Sequence, residues 1–145
     1  NVAAMLIAFV SIVAMFNYML SFTGTSLETI LGTIFKPLAW TMGVPWNEAD
    51  AMGILMGKKI VFTELIAYGD LRDLLTSGEI SNRTAIIASY ALCGFANFGS
   101  IGIQLGGIGG MAPDRKKDLA MLVTKAMIGG ALASWLTATI AGILI

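Results

Sequence analysis

Histidine is absent from this chain, and cysteine occurs once, at Cys93. Without histidine there is no side chain that titrates near neutrality in its ordinary state, and the commonest metal ligand is missing. A single cysteine excludes an intrachain disulfide, and in its apolar run Cys93 reads as a small buried hydrophobe. Charge is scarce too: 12% of the residues are Asp, Glu, Lys or Arg, nine acidic against nine basic. The cancelling signs leave no net field to attract nucleic acid or an acidic partner. No nucleophile stands beside a base and no metal-ligand cluster is spelled out, so an enzyme is the least supported class and no cofactor is implied. The chain starts at Asn1 without a charged leader or a small-residue cleavage pattern. The expectation is the tail of a longer protein rather than a signal peptide.

What the chain does have is apolar length. Of its 145 residues 57% are hydrophobic, with a mean hydropathy of +0.81, which points to a bilayer protein or a piece of one. Val2 to Phe22 is uncharged, with Ser11, Asn17 and Ser21 as interruptions, and is long enough for a spanning helix. From Ser26 to Met42 the apolar residues Leu27, Ile30, Leu31, Ile34, Leu38 and Met42 recur at steps of three and four around Glu28 and Lys36, which suits a helix lying at the interface. Gly43 and Pro45 then end one helix and open the next. Thr84 to Ala112 is uncharged, and Asp118 to Ile145 carries only Lys125 after its first residue, so both read as further spans. Between them Arg115, Lys116 and Lys117 crowd the loop 113–118, which the positive-inside rule places in the cytoplasm.

The segment 47–77 does not fit a plain span. It carries Lys58, Lys59 and Glu64 near its centre, and a charge at mid-bilayer costs about 2.5–3.5 kcal/mol or more. Two half-length helices turning back near Glu64 avoid that cost if the tip is buried in protein or faces a wet cavity. The alternative is an amphipathic surface helix with Glu64 paired to Lys58 or Lys59. A second irregularity is "GFANFGS", residues 94–100, where Gly94 and Gly99 weaken the helix and Asn97 and Ser100 stand three residues apart. A break there frees backbone groups to meet a polar ligand at the midplane. Together with Glu64 it offers a carboxylate, an amide and a hydroxyl, a set suited to vicinal hydroxyls. The competing reading makes Asn97 and Ser100 glue between packed helices.

"GKKIVFTELIAYGDL", residues 57–71, resembles the signature of the concentrative nucleoside transporter family, G-x-K-x-x-x-N-E-F-V-A followed by an aromatic residue or methionine; Gly57, Lys59, Glu64, Ala67 and Tyr68 match it. Residues 88–113, "ASYALCGFANFGSIGIQLGGIGGMAP", resemble the following span of that family, and "NVAAMLIAF" and "PLAWTMGVPW" its upstream segments. The resemblance covers essentially the whole chain, as the C-terminal third of a transporter. It implies an all-α polytopic membrane protein: residues 1–22 a span of a trimer-forming scaffold, 26–42 an interfacial helix, 47–77 a re-entrant hairpin, 84–111 a broken span and 118–145 the last span. It further implies a cation-coupled symporter of nucleosides such as uridine, working as a homotrimer in a bacterial cytoplasmic membrane by an elevator-like movement of its hairpins. Carried over by position, Glu64, Asn97 and Ser100 resemble the ribose-binding residues and Phe95 the base-contacting aromatic, with Thr63 and Lys59 as supports of the hairpin tip. Thr63 replaces the family's asparagine, Leu65 its phenylalanine and Ile66 its valine. The family's first hairpin and sodium site lie upstream of these residues, so sodium and proton coupling both stay open. A module that recognises nucleosides or gates without transport is the alternative function.

Overall fold

The computed structural model describes residues 2–145. Among them the regular structure is helical, with no strand: α1 (Val2–Ser21), α2 (Leu27–Thr41), α3 (Ala49–Val61), α4 (Glu64–Ser77), α5 (Asn82–Leu92), α6 (Phe98–Met111) and α7 (Lys116–Leu144), the last preceded by one 3-10 turn, Pro113–Arg115. Two stretches among the described residues are long and apolar enough to cross a membrane: α1, and the 32 residues Pro113–Leu144 that contain α7. α5 and α6, with 11 and 14 residues, each fall short of the roughly 20 residues that a bilayer core requires.

α1 turns most of its apolar surface outward; Val13 is its one buried residue among those described. Its polar residue Asn17 has a local task. The Asn17 side-chain oxygen accepts from the Leu27 amide at 2.8 Å and its Nδ2 donates to Glu28 at 3.0 Å, so one amide clasps the first turn of α2, which Ser26 caps. α2 then crosses α3 closely. A Cβ on Gly57 would stand 2.5 Å from the Glu28 carbonyl oxygen, and one on Gly53 would collide with that of Gly32, so only hydrogen fits there.

α3 and α4 fold back on each other. Along one straight helix Lys58 and Asp70 would lie about 18 Å apart, yet they form an ion pair. Met52, Leu55 and Met56 of α3 and Ala67 and Leu71 of α4 share a buried cluster with Ala39 and Met42, Ile87, Ala88 and Leu92 of α5, and Ala138 of α7. α4 ends at Gly78, whose φ of 76° is a left-handed cap that suits glycine. At the open end of the pair, the Glu48 carboxylate accepts from the Ser81 amide at 3.0 Å and hydroxyl at 2.9 Å. That links the start of α3 to the start of α5.

One boundary moves. Residues 113–118, expected as a loop, are a 3-10 turn followed by the first turn of α7, which starts at Lys116. Pro113 opens the turn, and Arg115 pairs with Asp118 at 2.5 Å, so the basic residues sit on helical backbone at the foot of α7.

Candidate functional site

Two helix starts meet. Glu64 is the first residue of α4, just past the break at Phe62 and Thr63, and Asn97 is the N-cap of α6, just past the non-helical residues 93–96. Asn97 Nδ2 donates to Glu64 Oε2 at 3.2 Å across 33 residues of sequence. A helix start carries partial positive charge, so a carboxylate in the first turn of α4 is well placed electrostatically.

Asn97 is held hard. Its Oδ1 accepts from the Ser100 amide at 2.8 Å, and its own amide donates to Ser100 Oγ at 3.3 Å, a reciprocal capping box. Ser100 Oγ donates in turn to the Asn97 carbonyl oxygen at 2.6 Å. Both residues are buried, 1% and 2% exposed. The amide of Asn97 therefore has its oxygen committed to α6 and its nitrogen turned toward Glu64. A carboxylate has about four lone-pair sites, so Glu64 keeps acceptor capacity beyond the bond from Asn97. Ser100 keeps at most one free lone pair.

The other residues singled out from the sequence take different places. Phe95 lies in the non-helical segment and is 61% exposed. Gly94 beside it has a φ of 108°, which lets the chain turn there. Thr63 holds the N-cap position of α4, but its side chain makes no capping bond. Lys59, expected as a support of the hairpin tip, lies on α3 ahead of the break at Phe62 and Thr63. It is fully buried and donates from Nζ to Ala91 O at 3.0 Å, Cys93 O at 3.4 Å and Ser134 Oγ at 2.9 Å. Lys58 pairs with Asp70 instead. The Glu64–lysine pair of the surface-helix alternative is therefore not formed. Cys93 is also corrected: it is exposed, because it caps the end of α5 outside the packed helix.

Sequence reasoning missed two contributors. Tyr68 Oη donates to the Ser89 carbonyl at 2.7 Å, and Ser134 receives Lys59. Tyr68 had a signal, since it belongs to the family-like stretch; Ser134, one small polar residue in an apolar helix, had none. No group of three or more acidic or cysteine side chains among the described residues converges to hold a metal ion. A groove of about 530 Å³ lies between Lys58, Asp70 and Glu79 at the far end of α3 and α4, away from Glu64. A smaller apolar cavity of about 120 Å³ reaches the site at Thr63, Phe98 and Gly99.

Known proteins resemble this chain in sequence and fold. Residues 1–142 match the family described as "Na+ dependent nucleoside transporter C-terminus". The uncharacterized transporter YutK of Bacillus subtilis is 47% identical, over 100% of this chain and 37% of that protein. Sodium/nucleoside cotransporter 1 of Mus musculus is 40% identical, over 99% of this chain and 25% of that protein. Among solved structures, a variant of CNTnw in an outward-facing state superposes with a TM-score of 0.92 at 42% identity, covering 99% of this chain and 38% of that one. CNTnw in an inward-facing substrate-bound state gives 0.80 at 44% identity, covering 97% and 36%. The chain thus spans little more than a third of the longest-matched relatives. These relatives are multi-pass membrane transporters rather than enzymes.

Proposed function

Because the chain belongs to the concentrative nucleoside transporter family, we propose that it forms the C-terminal substrate-binding part of a cation-coupled nucleoside symporter. The observation that carries this reading is the bond from Asn97 Nδ2 to Glu64 Oε2, which brings two helix starts from distant parts of the chain to one place. In this reading Glu64 accepts hydrogen bonds from the ribose hydroxyls of a nucleoside such as uridine, bonds strengthened by its charge. Asn97 orients that carboxylate and adds a donor. Ser100 holds Asn97 and offers its remaining lone pair, and exposed Phe95 meets the base.

The helices take membrane roles by the same reading. α1 is a scaffold span in a homotrimer, and its outward apolar surface suits lipid or a neighbouring subunit. α2 lies at the interface, α3 and α4 are a re-entrant hairpin, α5 and α6 are halves of one broken span, and α7 is the last span. Residues 113–118 face the cytoplasm of a bacterial cell, with the transporter in its inner membrane. The α3–α4 hairpin and the α6 start that carry the substrate move together between outward- and inward-facing states in an elevator-type step. The coupling cation, Na+ or H+, is cargo whose site belongs to upstream segments.

Uptake of labelled uridine into vesicles holding the intact transporter, under an imposed cation gradient, tests the proposal. Wild type accumulates uridine and Glu64→Gln, present in equal amount, does not. Equal accumulation by both removes Glu64 from the site; accumulation by neither supports a module that recognises nucleosides without moving them.

A further inference from the structure

Lys59 and Tyr68 flank Glu64, one on each arm of the α3–α4 pair, and both leave it to reach the last turn of α5. A helix end leaves its final carbonyls without intrahelical partners. Here the Tyr90 carbonyl receives the Cys93 amide at 3.2 Å, Ala91 O receives Lys59 Nζ at 3.0 Å and Ser89 O receives Tyr68 Oη at 2.7 Å. Lys59 extends to Cys93 O at 3.4 Å, already inside the break that leads to Asn97. Its charge sits at the negative end of α5, where a cation is favoured. It also donates to Ser134 Oγ at 2.9 Å, whose hydroxyl passes its proton on to the Ala131 carbonyl at 2.9 Å, so α7 is tied in as well. Helix packing alone would not require a lysine here, since a buried ammonium is costly unless every donor finds an acceptor. This one has three, drawn from two other elements.

We infer that Lys59 and Tyr68 are positioning residues: together they cap α5 from the two arms of the hairpin and so set the register between the start of α4 and the 93–97 break, on which the Glu64–Asn97 contact depends. The inference rests on the nucleoside reading of that contact. Both spend their hydrogen bonds on α5 and α7 rather than on Glu64 or Asn97. Tyr68 lies one helical turn past Glu64 on α4 and Lys59 lies before the break, yet both act on the same short piece of backbone, and a displacement of about 1 Å in a binding group is enough to cost one to two orders of magnitude in efficiency.

The test compares uptake kinetics of uridine and 2′,3′-dideoxyuridine, which lacks the vicinal 2′ and 3′ hydroxyls of the ribose, by the intact transporter as wild type, Lys59→Met and Tyr68→Phe. Tyr68→Phe keeps the ring and removes only the hydroxyl, so it decides the matter if Lys59→Met fails to reach the membrane. The expected result is a KM for uridine raised about tenfold while the KM for dideoxyuridine moves little, at unchanged amounts of protein. A merely structural role lowers Vmax for both substrates and leaves the KM ratio alone; that outcome, or unaltered kinetics in a wild type that discriminates the two substrates, overturns the inference by itself. A wild type that does not discriminate them overturns the ribose reading, and the inference falls with it.

Discussion

The two helix starts that meet at Glu64 and Asn97 are built in opposite ways. α6 opens with a closed box: Asn97 and Ser100 satisfy each other through 2.8 and 3.3 Å bonds and are almost fully buried. α4 opens at Thr63, whose side chain caps nothing, and its first residue carries a half-buried carboxylate. One start has spent its polar atoms on its own geometry, and the other has kept them. On the proposed reading, then, one side of the site serves as a rigid reference and the other is left to recognise the substrate. Asn97 is the link, because the one group it does not commit to α6 is the Nδ2 that faces Glu64.

The largest effect should come from the recognising side. Glu64→Gln in the intact transporter removes charge-assisted acceptance worth about 1.5–3 kcal/mol, so uridine affinity falls by about one to two orders of magnitude with little loss of thermal stability. Calorimetric titration and a melting curve on the same preparation check both parts. Asn97→Ala strikes both sides. It deletes an N-cap worth about 0.5–2 kcal/mol and frees Glu64, so stability and affinity drop together. Ser100→Ala leaves the Asn97 oxygen its bond to the backbone amide and removes only the reciprocal half of the box, a loss of about 1 kcal/mol. Its affinity should fall less than that of Asn97→Ala; an equal fall would make the Ser100 hydroxyl as strong a ligand as the Asn97 amide. The smallest effects belong to position 63. Thr63→Ala should leave the melting temperature within error, because no capping bond is lost. Thr63→Asn can install the missing cap and add up to about 1 kcal/mol. If Thr63→Ala destabilised the protein as much as Asn97→Ala does, the contrast between the two starts would be wrong.

Helical class was legible from composition and run length, and so were the residues of the meeting point. Glu64 and Asn97 stand out because a carboxylate and an amide are expensive in apolar surroundings unless something uses them. The partners were harder to read. Lys59 stands five residues before Glu64, close enough to suggest a pair, but the chain breaks between them at Phe62 and Thr63. Helical periodicity does not carry across a break, and Lys59 points to α5 instead. Asn97 and Ser100, three residues apart, read as one face of a helix. At a helix start that spacing is the capping box, so it fixes backbone rather than presenting two side chains outward. Charge crowding at residues 115–117 resembles a loop; Pro113 and the Arg115–Asp118 pair make it helical. In each case local spacing was correct, and what could not be seen was which element the neighbouring segment packs against.

The central claim, that the contact between the two helix starts recognises the ribose hydroxyls, meets its most direct test in equilibrium titration of uridine and dideoxyuridine into the purified intact transporter, wild type beside Glu64→Gln. The account predicts that wild type binds uridine at least about tenfold more tightly than dideoxyuridine, a difference of about 1.4 kcal/mol, and that Glu64→Gln erases most of that difference. If the preference for uridine survives intact in Glu64→Gln, the carboxylate at the start of α4 does not read the ribose and the account is contradicted.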